Sequence, residues 1–124
     1  MNVNFRRILP LIALGFSTIQ PAPLRADELD GSVIYRQRCQ ACHGAPNQAS
    51  TMAPSLAGVV GRRAASTPFN YSTALKNSGV IWTRESLDRF LTAPTRMVPG
   101  TRMVINVTNS QQRAALVRYL AGTH

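Results

Sequence analysis

Three stretches of the chain space their apolar residues for helices, and none alternates as a half-buried strand would. Leu29, Val33 and Ile34 follow Asp27, Glu28 and Asp30, acids placed where a helix N-terminus attracts negative charge. They predict a helix running into Cys39. Thr83 stands at an N-cap position with Glu85 in the first turn, and Leu87, Phe90 and Leu91 then share one face until Pro94 ends the segment. Thr108, with Gln111 three residues on, gives a capping-box pattern for a last helix whose apolar positions are Ala114, Val117, Leu120 and Ala121. A shorter helix is expected at TALKNSG, closed by Gly79. From Gly44 to Asn70 the chain is crowded with Gly, Pro, Ser and Thr and keeps no period, which reads as an ordered loop. No segment repeats. The expected fold class is all-α.

A different apolar run, Ile8 to Ile19, follows Arg6 and Arg7 and gives way to small and Pro residues, the layout of a secretory signal. It holds Pro10 and falls well short of the roughly 20 residues that span a bilayer, so no permanent membrane span is expected. Cleavage after Ala26 fits best, with Ala22 an alternative, dividing the chain into a leader, 1–26, and a domain, 27–124. An uncleaved leader would instead act as an anchor.

A domain of that size with so much loop buries only a thin core, and helices this short are marginal alone. Something large and apolar is missing from the sequence.

The chain of 124 residues carries a net charge of +9. Losing Arg6, Arg7 and Arg25 with the leader leaves +6, nearly all of the positive charge as arginine, which suits an anionic partner. Nucleic acid is not expected, because aromatics interleaved with basic residues are missing and an exported protein rarely meets it. A protein with an acidic face fits better.

The two cysteines stand together in CQACH, Cys39 to His43. C-x-x-C-H is the attachment pattern of c-type haem, in which two thiols form thioethers with the vinyl groups and the adjacent His ligates iron. Two intervening residues complete about one helical turn, so both sulfurs reach neighbouring porphyrin edges while His43 points at the centre. A disulfide here would close too small a loop to stabilise much, a thioredoxin-type pair lacks its βαβ context, and zinc would have to use Cys39, Cys42, His43 and the terminal His124, a poor set. Haem c, one per chain, is the cofactor expected. For the sixth ligand Met52, Met97 and Met103 compete; Met52 is expected to pack near the haem edge, and composition does not separate the other two.

From Gly31 to Leu120 the chain resembles class I cytochrome c of the mitochondrial or bacterial c2 type at several separated points. Gly31 and Tyr35 are similar to the small and aromatic residues with which the family's first helix crosses its last, and Leu116, Tyr119 and Leu120 match the facing side. APSLAGVVGR resembles GPNLHGLFGR, FNYSTALKNSGVIW resembles FSYTDANKNKGITW, and APTRMVPGTRM resembles NPKKYIPGTKM. The resemblance implies the cytochrome c fold and Met103 as sixth ligand, with Met97 where the family usually has an aromatic. It implies that the Pro54 carbonyl accepts the His43 ring proton. It places Arg62, Tyr71 and Trp82, with Thr101 as a further contact, at the haem propionates, where a half-buried carboxylate needs donors.

Departures carry their own expectations. Leu75 stands where mitochondrial members often have Asn and Phe90 where they often have Tyr, so the Met sulfur should lack a polar neighbour. Loop lysines that displace Met at high pH in the family are replaced by Arg96 and Arg102, and guanidinium does not deprotonate in proteins.

These readings together predict a periplasmic one-electron carrier rather than an enzyme. Arg62, Arg63, Arg96 and Arg102 are expected to ring the haem edge for brief docking to an acidic redox partner. The alternative is a tightly bound cytochrome subunit of a periplasmic dehydrogenase or oxidase complex.

Overall fold

A computed structural model describes residues 15, 17–22, 29–48 and 50–123. The leader and its cleavage after Ala26 lie almost wholly outside the described residues, as do Asp27, Glu28 and His124. Among the described residues six helices follow one another: α1 (Gly31–Arg38), α2 (Gln40–His43), α3 (Thr73–Lys76), α4 (Arg84–Thr92), α5 (Pro94–Met97) and α6 (Ser110–Ala121). Among the described residues extended pairing is confined to an isolated bridge between Arg63 and Ile81, and no helix is long and apolar enough to cross a membrane.

Local chemistry sets the helix starts. The Asp30 carboxylate accepts from the Ser32 amide at 2.8 Å and caps α1; the Ser32 hydroxyl first, and then this amide, hold the carboxyl below its ordinary range. Thr83 caps α4 through the Ser86 amide at 3.1 Å, while the Ser86 hydroxyl accepts from the Thr83 amide at 2.8 Å, a reciprocal box. Pro94 then opens α5 at a position where its missing N–H costs nothing.

The last helix starts one residue later than the sequence pattern suggests. Asn109, not Thr108, is the N-cap, accepting from the Gln112 amide at 3.0 Å. Gln111 and Gln112 are adjacent, so Thr108 and Asn109 each have a glutamine three residues on; the Asn109 side chain makes the bond, while the Thr108 carbonyl accepts from Arg113.

The apolar faces also differ from expectation. In α1, Val33 is exposed, and Ile34 and Tyr35 turn inward, Tyr35 to 1% exposure. In α6 the buried residues are Ala115, Leu116, Val117 and Leu120, with Ala114 and Ala121 only half-buried. The reason is that α6 packs against both α1 and α4, so its buried face is wider than a single stripe.

The crossing of α1 on α6 is close enough to dictate glycine. A Cβ built on Gly31 would lie 2.2 Å from the Ala115 carbonyl oxygen and 2.7 Å from the Tyr119 Cβ. Beside this contact the Tyr35 and Tyr119 rings pack with centroids 5.5 Å apart. Burial pushes the Tyr35 phenol up to about 12, and its hydroxyl donates to the Gly44 carbonyl at 2.7 Å, tying α1 to the turn that follows α2.

Candidate functional site

The core is hollow. A cavity of about 420 Å³ opens among Val59, Trp82, Leu87, Phe90, Leu91, Val107, Leu116 and Leu120, which are themselves members of the main buried cluster. Side chains of a well-packed interior normally leave voids little larger than a water molecule, so a space of this size inside the core is built for a large apolar occupant.

Every residue named from the sequence as a cofactor or iron contact lines this cavity: Cys39, Cys42, His43, Pro54, Arg62, Tyr71, Trp82, Thr101 and Met103. They come from distant parts of the chain. Cys39 ends α1 and Cys42 and His43 lie on α2, so the turn of helix that was expected to present the two sulfurs and the imidazole is there. Burial raises the Cys39 thiol to about 11, against a smaller opposing influence of Arg38; Cys42 is exposed. His43 Nδ1 lies 2.6 Å from the Pro54 carbonyl oxygen. That contact fixes the proton on Nδ1 and leaves Nε2 with the lone pair that a metal would take. Burial, opposed by the Pro54 bond, lowers the imidazole below its ordinary range, which favours the neutral form a metal needs.

The methionines, which composition left open, separate by position. Met103 is half-buried and lines the cavity. Met97, at the end of α5, packs against the core cluster and is not part of the lining. Met52 also lines the cavity but is 70% exposed. The Thr101 hydroxyl, buried, accepts weakly from the Met103 amide at 3.4 Å.

The polar residues of the wall partly satisfy one another. The Tyr71 hydroxyl is bonded to Thr67 Oγ1, and Tyr71 stacks edge-on to Phe69 with centroids 5.2 Å apart. Trp82 is buried against Phe90, with centroids 4.9 Å apart. Leu75 and Phe90, the two apolar replacements noted in the sequence, both face the cavity.

Arginine placement differs from the expected ring. Arg62 lines the cavity but is half-buried and turned inward, donating to the carbonyls of Ala57 at 2.9 Å and Ser55 at 3.0 Å. Its own neighbouring loop takes its hydrogen bonds, so it is no free surface charge. Arg63 and Arg96 are exposed but lie off the cavity lining, whereas Arg102 lines it and donates to the Asn70 carbonyl. The residue that sequence reasoning missed is Arg38, which also lines the cavity and reaches the Asn106 carbonyl at 3.1 Å. No sequence signal marks it, because its partner is a main-chain oxygen 68 residues away.

A c-type haem fits this donor set: an apolar wall for the ring, two thiols and an imidazole on one turn, a thioether from the other half of the chain, and N–H and O–H donors at the wall.

Comparison with known proteins agrees. The family model described as cytochrome c matches residues 29–124. Cytochrome c type-1 of Ascaris suum is 41% identical over 96 residues, covering 76% of this chain and 86% of that protein. Cytochrome c2 of Rhodomicrobium vannielii is 41% identical over 101 residues, covering 79% and 80%. Among solved structures, cytochrome cH from Methylobacterium extorquens superposes with a TM-score of 0.67 at 32% identity, over 73% of this chain and 92% of that one.

Proposed function

The chain belongs to the cytochrome c family, carriers of electrons on a covalently bound haem c, and from that premise we propose a periplasmic one-electron carrier whose iron is held by His43 and Met103. The bound haem supplies a ferric/ferrous couple; the protein supplies ligands, a dry wall and a route of approach. Cys39 and Cys42 form the thioethers. His43, with its ring proton given to Pro54, presents the other nitrogen in a fixed orientation. Trp82, Thr101, the Tyr71 hydroxyl and the N–H groups of Arg62 not used by Ala57 and Ser55 would serve the propionates as donors.

One observation carries the reading: His43 and Met103 reach the same core cavity as both cysteines, while Met97, half-buried against the core cluster, does not line it. Held by His43 and Met103 together, the iron would have no open position for substrate or gas, which suits electron transfer and not turnover. Leu75 and Phe90 put apolar side chains on the cavity wall where mitochondrial members often have polar ones, which favours a firm iron–sulfur bond.

The rim fits transient docking. Met52, Val104 and Ile105 expose apolar surface there, at 70%, 66% and 51%, with Arg38 and Arg102 beside them. A small apolar contact flanked by positive charge suits a brief encounter with an acidic redox protein. The export pattern of the leader supports the periplasm.

The test is an absorption spectrum of ferric protein matured in a host able to attach haem. Wild type and Met97→Ala should show the weak charge-transfer band of methionine-bound iron, and Met103→Ala should lose it. A wild-type spectrum without that band, or ready binding of carbon monoxide to the reduced protein at neutral pH, overturns the ligand assignment.

A further inference from the structure

The segment carrying Met103 is held unevenly. Arg102 donates to the Asn70 carbonyl just before it, and Val107 donates to the Leu91 carbonyl at 2.8 Å beyond it. Across Val104, Ile105 and Asn106, the hydrogen bond recorded among the described residues is the one from Arg38 Nη2 to the Asn106 carbonyl at 3.1 Å. Val104 and Ile105 are largely exposed, so burial does little to keep this stretch closed. Arg38 is the last residue of α1 and is bonded directly to Cys39 along the chain. Its guanidinium therefore ties the backbone of the cysteine turn to the backbone of the methionine segment, across the rim of the cavity that both line.

We propose that Arg38 is a positioning residue for Met103: a latch that closes the methionine segment over the haem cavity and slows the sulfur's departure from iron. The latch rests on the reading of Met103 as a ligand. Its acceptor is a main-chain oxygen, so the side chain at 106 is irrelevant to it and the donor is everything. A charged guanidinium bonded to a carbonyl is stronger than a neutral pair, and its planar fork loses little freedom on binding. Opening the segment needs this bond to break, after which Val104 to Asn106 can move away with Met103 at their head. Arg36, two residues earlier, bonds instead to the Ser32 hydroxyl of its own helix at 3.2 Å, so it offers the same charge without the latch.

The experiment uses ferric holoprotein with covalently attached haem. Two quantities are read: the rate at which added imidazole displaces methionine, followed by loss of the charge-transfer band, and the rate of hydrogen exchange of the Val107 amide, which is bonded to the Leu91 carbonyl at the end of the segment. Arg38→Ala should raise both by roughly 3- to 10-fold, the equivalent of one net hydrogen bond. Arg38→Met, which keeps an apolar stem but no donor, should do the same if truncation to Ala impairs maturation. Arg38→Lys should recover part of the wild-type rate, and Arg36→Ala should leave both rates unchanged. If Arg38→Ala and Arg38→Met match Arg36→Ala in both readouts, the latch is refuted. If the wild type shows no methionine band at all, the ligand reading fails instead, and exchange at the Val107 amide still decides whether Arg38 holds the segment.

Discussion

Gly31 shows how a single missing atom sets a helix crossing. Alanine would favour helix α1 by up to about 1 kcal/mol over glycine, but its Cβ would stand 2.2 Å from the Ala115 carbonyl oxygen, an atom of α6's own backbone that cannot swing aside. Overpacking of this kind costs roughly 1–3 kcal/mol and wins. Gly31→Ala should therefore lower the stability of the holoprotein by about 2 kcal/mol in guanidinium titration, and a change under about 0.5 kcal/mol would contradict the packing argument. At another position the chemistry of one side chain predicts no change at all. Lys76 is the single lysine of the chain and sits exposed on α3, while Arg96 and Arg102 flank the methionine segment. Arginine keeps its proton, so a methionine replaced by lysine at high pH would have to be replaced by Lys76. Lys76→Ala should show the wild-type spectrum at alkaline pH; a large difference would make Lys76 an alkaline ligand.

Among the elements, α4 is held by a box whose two halves differ in cost. Thr83 is exposed, and Thr83→Ala should cost about 1 kcal/mol, the usual value of an N-cap. Ser86 is 5% exposed and its hydroxyl serves the Thr83 amide and also donates to the Ile81 carbonyl at 2.7 Å. Ser86→Ala strands two polar groups and should cost more, about 2 kcal/mol, by the same titration; equal losses would mean that burial adds nothing to the box. The apolar face of α4 was legible in the sequence because Leu87, Phe90 and Leu91 and a good cap agree. Ser86 was not, since the box is ordinarily read from Glu or Gln at that position. The same ambiguity hid α5: Pro94 reads as a terminator, yet a proline ends one helix and opens the next with equal ease. In α6 adjacent glutamines left the cap uncertain by one residue, and the structure chose Asn109. The lining residues of the cavity were legible because CQACH and the family's loop motifs name them; Arg38 and the inward turn of Arg62 were not, because both depend on carbonyl oxygens that no sequence pattern reports.

At the scale of the whole molecule, the core and the cofactor site are one object. Leu87, Phe90, Leu91, Leu116 and Leu120 are the residues that should hold α4 to α6, and each also faces the cavity. Left empty, a space of about 420 Å³ would strip the apolar side chains around it of their packing partners. An ordinary domain, stable by roughly 5–15 kcal/mol, has little room for such a loss. The helices cannot make up the difference, since the longest of those described has 12 residues and α2, α3 and α5 have 4 each, lengths that do not persist alone in water. The haem is therefore a structural part of the core, and covalent attachment through Cys39 and Cys42 keeps the fold from being lost with its centre. The Cys39→Ser/Cys42→Ser double variant, purified free of haem, should show far less helical circular dichroism than the holoprotein and melt without a cooperative transition. A cooperative melt with holoprotein-like helix content would mean that the chain closes its own cavity, and that the groups lining it hold the fold together without the ring they surround.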